Sequence, residues 1–269
     1  MTNASMPPAW IGIGRATGGA LIFGLPMLMT MEMWQIGFSI DPLRLMLLIF
    51  LSLPLWIVVS SIVGFEHTKN LGDDILDVLV AYAIGFITSF IVLSVLGIIN
   101  SSSNAGELFS VLLLQSVPAS LGALLGRSLI SGDGIEQFDA GYQHELSISI
   151  TGSLFLAFNL APTEEIILLS YQMGYWHICI LMLFTLVVMQ MFTLSNPDVE
   201  PTSLRYWKSH WQLFVRFTCT GYVLAFAVSL LMLWIFGRTD GESLYHIIKS
   251  ALVLGFPAGI GAAAARLLV

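Results

Sequence analysis

Eight stretches of mostly apolar residues divide the chain, at 17–34, 43–65, 75–99, 108–130, 146–169, 177–194, 217–237 and 247–269. A helix needs about 20 such residues to cross a hydrocarbon core of roughly 30 Å, whereas the apolar runs of a soluble core stop at about 10–14. The pattern predicts an all-α, polytopic integral membrane protein of eight transmembrane helices. Pro26 and Pro162 fall in the first and fifth stretches, and Pro118 and Pro257 sit centrally in the fourth and eighth. Each removes a backbone donor, so Pro26 and Pro162 are expected to free the carbonyls of Ile22 and Phe158. The longest polar connections, 131–145 and 195–216, are too short for a soluble domain. Any chemistry must sit in the membrane or at its edges.

The same pattern occurs twice. Pro118-Ala-Ser-Leu-Gly-Ala-Leu-Leu-Gly-Arg127-Ser-Leu-Ile and Pro257-Ala-Gly-Ile-Gly-Ala-Ala-Ala-Ala-Arg266-Leu-Leu-Val share six of thirteen positions at an offset of 139. Tyr82, Phe86, Ser89, Leu93 and Gly97 recur at an offset of 140 as Tyr222, Phe226, Ser229, Leu233 and Gly237. Gly19, Leu21, Thr30 and Glu32 recur at 133 as Gly152, Leu154, Thr163 and Glu165. Leucine matches between apolar helices carry little weight, but a shared Pro–Arg spacing and a shared Thr-x-Glu carry more. The reading is two tandem repeats of four helices, residues 1–130 and 146–269, joined by a cytoplasmic linker at 131–145. An even helix number makes the repeats parallel, as in some transporters.

Charge supplies the orientation. With the N-terminus inside, Arg15, Lys69, Arg127, Arg205, Lys208, Arg216 and Arg266 fall on the inner side, against Arg44, Arg238 and Lys249 outside. That bias places both termini in the cytoplasm of a bacterial inner membrane. Trp34, Tyr171, Tyr175, Trp176 and Trp234 would anchor the outer interface, and Trp207 and Trp211 the inner one. Residues 1–8 lack a basic n-region, so insertion is expected through the protein's own helices. Composition agrees: 57% of residues are hydrophobic and only 10% charged, with a mean hydropathy of +0.87. Ten Lys and Arg against seventeen Asp and Glu, with no basic stripe, exclude nucleic-acid binding. Cys179 and Cys219 form neither a disulfide framework nor a metal pattern.

Ionisable groups inside a spanning helix cost several kcal/mol, about 3 on insertion scales, so each needs a reason. The candidates are Glu32 in the first stretch and Glu164 and Glu165 in the fifth. Glu32 and Glu165 lie at similar depth in the outer third. A facing pair at one depth makes a cation or proton site, because repulsion raises the pair's pKa and a cation relieves it. Function is then expected to fall as pH drops toward roughly 5–6. Thr30, Thr163 and Asn159 add hard oxygens near the carboxylates. The donor set suits Ca²⁺, Mg²⁺, Na⁺ or H⁺, with Glu32 and Glu165 as the metal-binding pair and no resident cofactor. The competing reading leaves these glutamates solvated at the interface or paired with arginine. Glu164 lies about 100° around the helix from Glu165 and is assigned to the rim or to a structural partner.

Arg127 and Arg266 close their Pro/Gly/Ala-rich helices at the cytoplasmic end. Snorkelling, helix-end charge compensation or pairing with a carboxylate or lipid phosphate would each explain them. No enzyme is expected. His67, His144, His177, His210 and His246 all fall in loops or at helix ends. The Glu164-Glu165 pair lacks the following Arg and the intramembrane His of glutamate intramembrane proteases.

The segments Gly24-Leu-Pro-Met-Leu-Met-Thr-Met-Glu-Met-Trp34, Val117-Pro-Ala-Ser-Leu-Gly-Ala-Leu-Leu-Gly-Arg127, Ala157-Phe-Asn-Leu-Ala-Pro-Thr-Glu-Glu165 and Leu254 to Arg266 resemble an uncharacterised bacterial family. Its members are integral membrane proteins that carry a domain of unknown function. The resemblance implies a bacterial polytopic membrane protein and supplies no activity. The residues themselves point to a cation channel or a cation/proton-coupled transporter. The alternative is a non-transporting membrane scaffold, sensor or assembly subunit, against which the short loops count. The expected partners are the lipid bilayer and a small inorganic cation or proton. Self-association into a homo-oligomer would double the carboxylate set.

Overall fold

The computed structural model describes residues 9–63, 71–99, 104–131, 142–195 and 208–268, and every regular element among them is helical. Two compact units divide at Phe138 and Asp139. The first contains α1 (Ala9–Leu28), α2 (Met31–Ser39), α3 (Pro42–Val63), α4 (Leu71–Val95) and α5 (Ala105–Ser131). The second contains α6 (Tyr142–Leu160), α7 (Glu165–Gln172), α8 (Tyr175–Ser195) and α9 (Lys208–Leu213). From α9 the chain runs through a π-helical turn (Phe214–Cys219) into α10 (Thr220–Ile235), and α11 (Leu244–Leu268) completes the unit. Most of the expected 131–145 linker, and the inner charges Lys69 and Arg205, lie outside the described residues.

Seven of the described helices are long and apolar enough to cross a membrane. An eighth crossing arises when α6 and α7, bent by 89° at their break, are counted as one span. Large apolar side chains such as Phe50, Val95, Trp176 and Leu183 are exposed on the outer faces. In water such surfaces would drive aggregation; in lipid they cost nothing.

Two expected helices are interrupted. The first apolar stretch is not one helix to Trp34: α1 stops at Leu28 and α2 starts at Met31. The fifth stops at Leu160, and the chain turns before α7 starts at Glu165. Hydropathy reports only that a segment is apolar, and both of these are. The interruption depends on who satisfies the freed backbone groups.

In each unit the most enclosed helix is the last one. In the first, α5 packs against α1, α2, α3 and α4; in the second, α11 packs against α6, α7, α8 and α10. Small residues set the approach. A Cβ on Gly19 would collide with the Gly122 carbonyl and lie 2.7 Å from Gly126 Cα, so α1 and α5 touch backbone to backbone. A Cβ on Gly152 would collide with the Gly261 carbonyl and lie 2.6 Å from Ala265 Cβ, so α6 meets α11 in the same way. These contacts sit 133 and 139 residues apart in the chain, the offsets read in the sequence. The helix caps match as well. Gly97 (φ 72°) and Gly237 (φ 70°) end α4 and α10 in the left-handed region that glycine occupies without strain. Ile98 N then donates to Leu93 O at 3.0 Å, and Arg238 N to Leu233 O at 2.8 Å, the bond that closes a Schellman cap.

Candidate functional site

The break in the first unit is held by side chains. Thr30 adopts extended backbone (φ −92°, ψ 119°) at the start of α2, and its hydroxyl donates to the Pro26 carbonyl. Trp34 Nε1 donates to Leu28 O at 2.6 Å, and Gln115 Nε2 reaches from α5 to Met27 O at 3.3 Å. The carbonyls at the end of α1 are thus occupied by protein donors. Glu32 lies half-buried in the first turn of α2, where the helix dipole favours a negative charge. Pro26 itself is accommodated inside α1.

The second unit repeats the arrangement with different donors. Asn159 Nδ2 donates to Phe155 O and Thr163 Oγ1 to Leu160 O, each at 2.8 Å, so both expected ligands are partly engaged with their own helix. The Arg238 guanidinium donates to the Pro162 carbonyl. It also pairs with Glu164 at 3.8 Å, where the Glu164 side chain is 82% exposed. Glu165 opens α7 and is exposed. Its carboxyl lies near its own backbone N–H, the Thr163 hydroxyl and the Arg238 charge. It sits at a helix start and is exposed within its unit, not enclosed by the packed helices. Glu164, Glu165, Ile167, Leu168, Tyr171 and Arg238 line an open cavity of about 510 Å³. Behind it, Tyr171 donates to Glu242 Oε2 at 2.7 Å and stacks on His246 at 4.2 Å.

Glu32 belongs to the first unit and Glu165 to the second. Among the described residues, no group of three or more His, Cys, Asp or Glu gathers as a metal would require.

At the other end of the second unit, Arg266 does more than mark a helix terminus. Its Nε donates to Ser149 Oγ at 2.8 Å and its Nη2 to Phe217 O at 3.0 Å, inside the π-helical turn. The Arg127 side chain lies outside the described residues. Pro118 and Pro257 are both carried within continuous helices.

Other polar groups escaped the sequence reading. Asp74 is 6% exposed near the start of α4, and Asp77, one turn on, accepts from Ser60 Oγ at 3.4 Å. Tyr82 is hydrogen-bonded to Ser52, and Trp56 Nε1 donates to Ser120 Oγ at 2.8 Å. Lys249 is buried in α11, and Arg238 is the lock on the second break. The available signal was a charge inside an apolar run, present at Asp77 and Lys249. In the sequence Asp77 is a single charged position in a long apolar stretch, and Lys249 counts as an outer charge.

A family described as "Putative integral membrane protein (DUF2391)" matches residues 12–269. No curated protein and no solved structure matches the chain.

Proposed function

The chain belongs to that family of integral membrane proteins, and we propose that it is a multi-pass transport protein, a cation channel or cation/proton-coupled transporter of the bacterial inner membrane. In this reading it crosses eight times as two tandem four-helix repeats, with both termini cytoplasmic, and catalyses no reaction. Three matched features support the repeat. They are the Gly19–Gly122 and Gly152–Gly261 backbone contacts, the Gly97 and Gly237 caps, and the place of Trp56 and Ser120, where the offsets of 133 and 139 put Met189 and Gly259 in contact. At about 1.5 Å per residue the 19 residues of α6 span about 28 Å, so α7 lies at the membrane edge.

One observation carries the transport reading: each unit breaks its first helix just before a Thr-x-Glu. Broken helices at such positions are where transporters expose backbone and charge to a permeating ion. In the second unit Glu164 and Glu165 both line the cavity; Arg238 pairs with Glu164, and Glu165 has the Thr163 oxygen beside it. Hard oxygens of this kind take Na⁺, Mg²⁺, Ca²⁺ or H⁺. Thr30 and Glu32 offer the same pair in the first unit. The test is flux into proteoliposomes for a panel of these cations. Uptake above protein-free vesicles for at least one of them is expected, and none for any would refute the reading.

A further inference from the structure

Among the described residues, Lys249 is the one basic side chain that is fully buried, at 7% exposure. It sits five residues into α11, on the helix that packs against α7 and α8. Its ammonium lies 5.6 Å from the centre of the Tyr245 ring and close to the Tyr175 phenol, and no described residue gives it a hydrogen bond or an ion pair. One turn earlier on the same face, His246 Nδ1 is also buried without a partner. The surroundings are aromatic. The Tyr175 and Tyr245 rings lie 5.8 Å apart, while His246 stacks on Tyr171 and meets Tyr245 edge-on at 5.1 Å. Glu242, in the loop before α11, accepts from the Tyr171 hydroxyl.

A buried imidazole nitrogen without a partner is a cost that its site must offset, and the Lys249 ammonium stands on the same helix face one turn on. An ammonium, an imidazole nitrogen and two phenol hydroxyls, all able to donate, gather here between flat ring walls. We propose that Lys249, His246, Tyr175 and Tyr245 form a binding site for an oxyanion, a carboxylate or phosphate group, in the second unit. The group can belong to a free small molecule or to the headgroup of an anionic lipid. Lys249 supplies the charge-assisted bond, and His246 and the tyrosines orient the oxygens. This site does not rest on the cation reading, since its donors are separate from Glu165 and Thr163.

The experiment uses the full-length protein in nanodiscs of zwitterionic lipid and follows tryptophan fluorescence, to which Trp176 beside Tyr175 contributes. Sodium acetate and sodium phosphate are titrated at constant ionic strength. In a parallel arm, native mass spectrometry measures retention of phosphatidylglycerol. A saturable response to either salt identifies a free oxyanion, and selective retention of the lipid identifies a headgroup. In either arm Lys249→Met should weaken binding by on the order of tenfold or more, and Lys249→Arg should keep most of it. Melting curves of both variants establish folding first. Equal binding by folded Lys249→Met, or no binding of any probe by the wild type, would overturn the proposal.

Discussion

A carboxylate at the first position of a helix accepts from backbone N–H groups that have no intrahelical partner, and Glu165 takes that position in α7. Arg238 gives the prediction at this scale. Arg238→Met removes the donor to Pro162 and the partner of Glu164, and should lower stability by about 1–3 kcal/mol. Arg238→Lys should restore little, because one ammonium cannot match the planar fork. Thermal melting in detergent measures both.

Helices that touch backbone to backbone have no room for a side chain at the contact. Gly152→Leu should therefore separate α6 from α11, and Gly19→Leu should separate α1 from α5. Each should cost more than about 3 kcal/mol or prevent folding. Gly72→Ala, where nothing lies within 4 Å of the added carbon, should be nearly neutral. Retention of the wild-type melting point by Gly152→Leu would show that the close approach does not exist. The glycine and Pro–Arg spacings were visible in the sequence because repetition exposes them. The helix breaks were not. Pro26 and Pro162 are similar signals, yet α1 carries Pro26 through and ends only where Trp34 and Gln115 take its last carbonyls. The second break is held by Arg238, more than 70 residues away. Local pattern cannot name donors that arrive from another helix. For the same reason the oxygens of Thr30, Thr163 and Asn159 were legible as candidates, while their bonds to local carbonyls were not.

At the scale of the molecule, membrane insertion follows from composition and segment length, and it needed no tertiary information. Topology rests on a charge bias, which reporter fusions can test directly. Fusions at Asn104 should report outside and those at Gly134 and Thr202 inside; outward placement of either of the last two would contradict the eight-crossing arrangement. Sequence could align Thr30-x-Glu32 with Thr163-x-Glu165, but it could not tell a spanning carboxylate from one at the restart of a broken helix. That difference moves Glu165 from the middle of a helix to an exposed position at a helix start. The most direct test of the central claim is cation flux by the purified Glu32→Gln/Glu165→Gln double variant in proteoliposomes, after its melting curve establishes folding. The account predicts loss of flux in the double variant, near-complete loss in Glu165→Gln alone and a smaller loss in Glu32→Gln. Wild-type flux through the folded double variant would contradict it.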